Sequence, residues 1–210
     1  YNASCDSITL TVTGKGGHGA HPEDCADPIV MAAGLLLQLQ TLISRRNRAT
    51  DPVVLSFGEI HGGSAPNIIP EEVVLRGTMR TFDAAVQQRH LHTLRTLCPA
   101  FCQSLGGGCR VETEKSLPPL INDPDICRRC AWDVLGPDAV DTIIGPSMGS
   151  DDFSSVLHAC ADRGAQFLVG TGTDDPRTRI GLHAAENVFP PEAMETAVTM
   201  LTAFAMDYLK

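Results

Sequence analysis

A chain of 210 residues is long enough to bury a substantial core, and its length fits one domain or two small ones. With 25 acidic and 16 basic residues its formal charge is −9, and no Lys/Arg run is long enough to track a phosphate backbone, so nucleic acid is not an expected partner. The longest apolar run, Val30 to Leu37, is interrupted by Gly34 and closes at Gln38, too short to span a bilayer, and no membrane association is expected.

No secretory signal opens the sequence, which begins at Tyr1 and enters an alternating strand almost at once, as a piece of something longer would. The cysteines at 5, 25, 98, 102, 109, 127, 130 and 160 therefore read as reduced thiols of a cytoplasmic protein. Cys127-Arg-Arg-Cys130 lacks the second pair or the nearby histidines of a zinc site and reads as structural.

Ser7 to Thr13 alternates Ile8, Leu10 and Val12 against Ser and Thr, the pattern of a half-buried strand. The loop after it, Gly14-Lys-Gly-Gly-His18-Gly-Ala-His-Pro22, has four glycines in six positions, suited to φ > 0 and to close backbone approach. It holds His18 and His21 either as a site or as two solvated imidazoles. Asp27-Pro28 starts a helix with Ile29, Ala33, Leu36 and Ile43 on one face. Val53 to Ile60 and Glu72 to Phe82 read as strands joined by the long loop His61 to Pro70. Asp83 caps a second helix, carrying Val86, His90, Leu94, Leu97, Phe101 and Leu105 inward and ending at Gly106-Gly-Gly108; Cys109, Val111 and Thr113 alternate in a fourth strand. The order β-α-β-β-α-β is a split βαβ unit: an antiparallel sheet with two helices on one face. Its free edge and outer face need cover, and a second copy is one solution.

After Ser116-Leu-Pro-Pro119 the pattern shifts to α/β. Asn122 caps a helix through Leu135, and Val140 to Ile144 and Gln166 to Val169 read as strands. Pro191 to Leu209 reads as a helix with Met194, Val198, Leu201, Phe204 and Leu209 inward. Two strands are too few for a sheet of their own.

The polar groups gather on loops: His18, His21, His61, Asn67, Asp151, Asp152 and His183. Arg80, two residues from its strand's end, could extend toward the Asn67 loop; a guanidinium beside an amide makes a carboxylate clamp, and its alternative is a surface ion pair. Ser150-Asp-Asp152 also suits an ordinary helix start, and His183 stands alone.

Taken together, Gly14 to Pro22, Ala26-Asp-Pro-Ile-Val30, Ile60 to Pro70 and Leu75 to Asp83 resemble the metal-dependent amidohydrolases of the aminoacylase and zinc carboxypeptidase superfamily, in the branch of hippurate hydrolase and the indole-acetyl-amino-acid hydrolases. Asn122-Asp-Pro124, Ser147 to Phe153 and Leu182-His183 continue the match. The resemblance implies an α+β dimerisation lid, residues 5–116, followed by the C-terminal α/β portion of a metallohydrolase catalytic domain, residues 117–210. It implies hydrolysis of N-acyl-amino acids or small peptides with a free carboxylate, at a centre of two divalent metals (Zn, Mn, Ni or Co). By the same resemblance His18 reaches a neighbouring subunit's site to polarise the scissile carbonyl, Asn67 and Arg80 bind the substrate carboxylate with His61 close by, and His183 is a metal ligand. The other ligands and the Glu base are expected in a segment preceding Tyr1, so the chain alone should be inactive. Asp151 stands where the family usually has Glu, and Ala184 to Phe189 departs from the usual run. The competing hypothesis is a non-catalytic dimerising or carboxylate-binding module of the same fold.

Overall fold

Strand β1 (Cys5–Thr13) buries Asp6, Ile8, Leu10 and Val12, alternate positions that a period-2 backbone sends to one face. In the computed structural model, which describes residues 1–141, 145–181 and 183–209, this strand is central to a four-stranded antiparallel sheet. The others are β3 (Val53–Gly62), β5 (Glu72–Thr81) and β6 (Gly108–Leu117), in the order β3-β5-β1-β6. The intervening β2 (Gly17–His18) and β4 (Ile68–Ile69) pair with each other in a separate two-stranded ribbon. Contacts divide the chain into two compact units, Tyr1–Ile121 with Pro146–Val156, and Asn122–Gly145 with Leu157–Lys210.

Two helices cover the sheet in the first unit, as the β-α-β-β-α-β order requires. Helix α1 (Pro28–Arg46) is capped by Asp27, whose carboxylate accepts from the amides of Ile29 (2.8 Å) and Val30 (3.4 Å). Helix α2 (Ala84–Ser104) is capped likewise by Asp83 through Ala85 and Val86. Sheet and helices share one core, in which Ile8, Leu10, Leu35, Leu39, Leu75, Met79 and Leu94 are almost wholly buried. By length and composition α1 would pass for a membrane span, but Met31, Ala32, Leu35, Leu39 and Leu42 are spent on this core. Of the anticipated Ile29, Ala33, Leu36 and Ile43, Leu36 and Ile43 pack partly buried against this core, whereas Ile29 and Ala33 are exposed, because the proline entry starts the helix with Pro28 itself turned inward. On α2 the observed stripe runs Val86, His90, Leu91, Leu94, Cys98 and Cys102, and the anticipated Leu105 lies outside it.

A buried polar node ties α2 to the sheet. Gln87 Nε2 donates to both oxygens of Asp6 (3.0 Å each), and Ser116 Oγ donates to Asp6 Oδ1 at 2.6 Å. Burial pushes the Asp6 carboxyl up from its ordinary value, and the Ser116 and Gln87 donors pull it back. Beside the node's helix, Cys98, Cys102 and Cys109 pack together in the core; burial and the neighbouring Cys109 push the Cys102 thiol up to about 12.

The second unit is built on helices. Asp123, not the anticipated Asn122, caps α3 (Pro124–Cys127), accepting from Asp125 and Ile126. Asn122 instead brackets the backbone of Gln166, donating to its carbonyl (2.8 Å) and accepting from its amide (2.9 Å). A π-helical turn, Arg128–Trp132, leads into α4 (Asp133–Leu135), and helix α6 (Glu192–Tyr208) packs Met200 and Phe204 near Cys130 and Ala131. Cys127 and Cys130 are free thiols on this helical run, both shifted upward by burial, as structural cysteines would be. Two expectations fail here. Gln166 to Val169 forms no strand, and Met194, Val198 and Leu201 on α6 and Leu209 just after it are exposed, Leu209 at 83%. The anticipated strand Val140 to Ile144 extends into residues 142–144, outside the described residues.

Candidate functional site

The glycine loop is shaped by proximity. Among the described residues positive φ at glycine occurs at Gly63, Gly106 and Gly136, and at none of Gly14, Gly16, Gly17 or Gly19. What these four avoid is a Cβ: at Gly16 it would stand 2.7 Å from the Ile69 carbonyl oxygen, at Gly17 2.5 Å from Cys25 Sγ, at Gly19 3.1 Å from the Asn67 carbonyl, and at Gly14 against the Ala26 carbonyl. The absent side chains of Gly16 and Gly19 let β2 lie against β4, with His18 opposite Ile68 and Gly19 N donating to Asn67 O at 2.8 Å, while Gly14 and Gly17 make room for Ala26 and Cys25.

This pairing brings His18 and Asn67 together on exposed loops. The amide of Ala20 donates to His18 Nδ1 at 3.0 Å, so Nδ1 is the acceptor nitrogen and in the neutral ring the proton sits on Nε2. His21 lies edge-on to His18, ring centroids 5.8 Å apart, with its Nδ1 3.4 Å from Glu23 Oε1. His61 is on the exposed end of β3, opposite Val74, with Nε2 3.5 Å from Glu59. A shallow cleft lined by Gly16, Gly17, Gly63, Ser64, Ile69 and Glu72 opens at this same end.

Arg80 is elsewhere. The register puts Gly62 opposite Val73 and Val54 opposite Arg80, so the residues next to the Asn67 loop begin β5 and Arg80 nearly ends it. Eight residues at a strand's rise of ~3.3 Å separate Glu72 from Arg80 by about 26 Å. Within one chain the Arg80 guanidinium therefore does not reach the Asn67 loop, contrary to the sequence-based expectation. Its Nη1 donates to the Met148 carbonyl at 2.9 Å, a partner that lay in a Gly/Ser-rich turn whose motif was visible but whose role was not.

His183 is exposed and holds a left-handed backbone at φ 70°, a conformation uncommon outside glycine and met most often at turns and sites. Asp151 Oδ1 accepts from the amide of Phe153 at 2.9 Å, the capping role read for it, at the start of α5 (Phe153–Ala159). Among the described residues no three His, Cys, Asp or Glu side chains converge as a metal-holding group. The described side chains therefore do not form a metal centre by themselves. His90, read as a packed histidine, is buried with Nε2 2.9 Å from Asn47 Oδ1, and burial first, then the Arg89 charge, lowers its pKa.

Residues 4–102 match the family model of the peptidase dimerisation domain. A Synechocystis protein named as a probable hydrolase is 32% identical over 98% of this chain and 53% of its own length. The IAA-amino acid hydrolase ILR1-like 2 of Arabidopsis thaliana is 32% identical over 73% of this chain and 36% of its own. The crystal structure of the Bacillus subtilis YXEP protein, a dinuclear metal-binding peptidase from the M20 family, superposes with a TM-score of 0.72 at 20% identity, covering 99% of this chain and 51% of that one. The mixed α/β fold is thus the fold of these structures, and the chain spans about half the length of the relatives it matches end to end.

Proposed function

We propose, from the match of residues 4–102 to the M20 peptidase dimerisation domain, that the chain is the lid and part of the catalytic domain of an amidohydrolase, divided at residues 5–116 and 117–210. Its proposed substrates are N-acyl-amino acids or small peptides bearing a free carboxylate. What supports the reading is that the exposed His18 and Asn67 and the anchored Arg80 lie at opposite ends of the β3–β5 pair, which we read as two incomplete half-sites. His18 and Asn67 form one half, the anchored Arg80 the other.

Two copies related by a two-fold axis would bring unlike halves together. In the proposed homodimer, the β3 edge with its exposed Ile60, and the outer face of α1 with exposed Val30 and Leu37, are the surfaces that a second copy would cover. Arg80 of one protomer holds the substrate carboxylate through its planar fork, and Asn67 of the partner adds an amide donor. The partner's His18 aims its Nε2–H at the carbonyl oxygen as negative charge develops there. His61 lines the rim of the same end.

In relatives of this kind divalent metal ions would supply the activated water. The described side chains do not form such a centre, and only a single ligand, His183, is proposed from this chain. The second reading is a non-catalytic carboxylate-binding module of the same fold, which metal-dependent turnover by the full-length protein would exclude. Eight free cysteines suit a reducing compartment, and the cytoplasm is the proposed location.

Mixing subunits tests the half-site arrangement. His18→Ala and Arg80→Ala homodimers of the full-length protein should each be nearly inactive. Their mixed dimers restore one intact site in two, because both lesions fall in the other site. Equal mixing should then return about a quarter of wild-type turnover by this symmetry. No recovery under conditions where subunits demonstrably exchange would place both residues in the same protomer's site.

A further inference from the structure

Arg80 is held from three sides. Its strand is fixed where Ser4 N donates to Thr81 O (2.7 Å) and Thr81 N donates to Ser4 Oγ (3.1 Å). Its guanidinium is fixed by the Met148 carbonyl, at the tip of the turn Ser147–Gly149. The turn is anchored in turn to the N-terminal segment: Ser147 N donates to Tyr1 O, and Ala3 N donates to the carbonyls of Ser147 and Gly149, each at 3.0 Å. One side chain closes the turn, Ser147 Oγ, which accepts from the amide of Gly149 at 3.0 Å.

The chemistry of this arrangement differs from that of an ordinary surface arginine. No carboxylate among the described residues lies within ion-pair reach of Arg80. A guanidinium has five N–H donors. A neutral carbonyl occupies one of them and fixes the plane, yet leaves the full charge and the remaining donors unspent. A carboxylate in the same place would have neutralised the group and filled the fork. Orientation without neutralisation is what a receptor for an anionic group requires.

We infer that the Ser147–Met148–Gly149 turn is a positioning device for Arg80, and that Ser147 is the side chain on which the orientation rests. Its consequence is selectivity for a free carboxylate over the isosteric amide. This rests on the reading of Arg80 as the carboxylate's partner. Ser147 touches no substrate; it acts through the Met148 carbonyl. A purely structural bond would instead tie the turn to the strand, and its loss would harm every substrate alike.

The test measures kcat/KM of the full-length protein for an N-acyl-amino acid and for the matching C-terminal amide. Ser147→Ala should lower the value for the acid by about 3- to 10-fold, the size of one neutral hydrogen bond, chiefly through KM, and leave the amide unchanged. Ser147→Thr keeps the accepting hydroxyl and should restore the acid. In an Arg80→Ala background Ser147→Ala should cost nothing further, since the two act as a unit. Gly149→Ala is the second route to the same point: its Cβ would stand 3.1 Å from Ser147 Oγ and press on the hydroxyl, giving the same pattern more weakly. Equal losses on acid and amide, or an undiminished loss without Arg80, overturn the positioning role. The underlying reading fails separately: if Arg80→Ala leaves the acid-to-amide ratio untouched, Arg80 is not the carboxylate's partner, and the role of Ser147 falls with it.

Discussion

The two ends of the β3–β5 pair are built on different principles. At the His18 end the backbone itself is brought close: missing side chains at Gly16 and Gly19 let two short strands pair, those at Gly14 and Gly17 admit Ala26 and Cys25, and an amide sets which nitrogen of the neutral His18 ring carries the proton. At the Arg80 end a long side chain leaves a regular strand and is caught by a carbonyl from distant sequence. The first end obtains precision from close packing of main chain, the second from a tether on a flexible group. A donor that must meet a developing charge is better served by the first, and a grip on a formed carboxylate by the second.

The largest effect should come from the His18 end. In the full-length protein His18→Ala should lower kcat by about 10²–10³ with little change in KM, because loss of one oxyanion donor acts where charge develops. An unchanged kcat would make both ends ordinary structure.

Arg80→Ala should cost about 10- to 150-fold in kcat/KM for an acid substrate, the worth of a charged hydrogen bond, and almost nothing for the amide. Arg80→Lys should recover part of this, since an ammonium lacks the planar fork. Equal losses on both substrates would show the two ends to differ in no chemical respect.

Gly16→Ala sharpens the comparison without touching a polar side chain. The added Cβ has no room before the Ile69 carbonyl and should weaken the β2–β4 pairing by about 1–3 kcal/mol, in the range of overpacking. Amide exchange at residues 17–20 should accelerate while β5 near Arg80 stays protected. Uniform acceleration would mean that the ends are one cooperative unit.

The smallest effect is a pH dependence confined to the other end. His90 binds Asn47, in the segment leading to Val53, which begins β3 beside Thr81. Its pKa is lowered in the folded protein, by burial first and by Arg89 next, against a raising contribution from Asp51. The unfolded chain therefore binds the proton more readily. Stability should be full above the ordinary value of 6.5 and decline as pH falls from there through the lower folded value. Melting temperature against pH should show this slope, and His90→Gln should flatten it.

Element order and the caps of α1 and α2 were legible in local sequence, because each rests on neighbours a few residues apart; the antiparallel sheet followed from that order, although its pairings are long-range. The glycine loop was legible in place but not in cause: four glycines announce backbone crowding or positive φ equally, and only the approach of Ile69 and Asn67 decides. Arg80 was misplaced for a different reason. Nearness to a strand's end says nothing of which end, and the register with Val54 answers it. The Ala20 amide and the Met148 carbonyl left no signal at all, since any residue supplies them. On α6 the apolar period was real, but periodicity marks a face that needs cover and does not say that the described chain covers it.

That stripe, Met194, Val198 and Leu201 on α6 with Leu209 just beyond it, is exposed apolar surface of a different kind from a strand edge. Apolar contact weakens on cooling and strengthens in sulfate, whereas hydrogen-bonded edges do not share that temperature signature. Any self-association of the 210-residue chain through this stripe should therefore weaken at 4 °C relative to 25 °C and strengthen in ammonium sulfate, as sedimentation would measure.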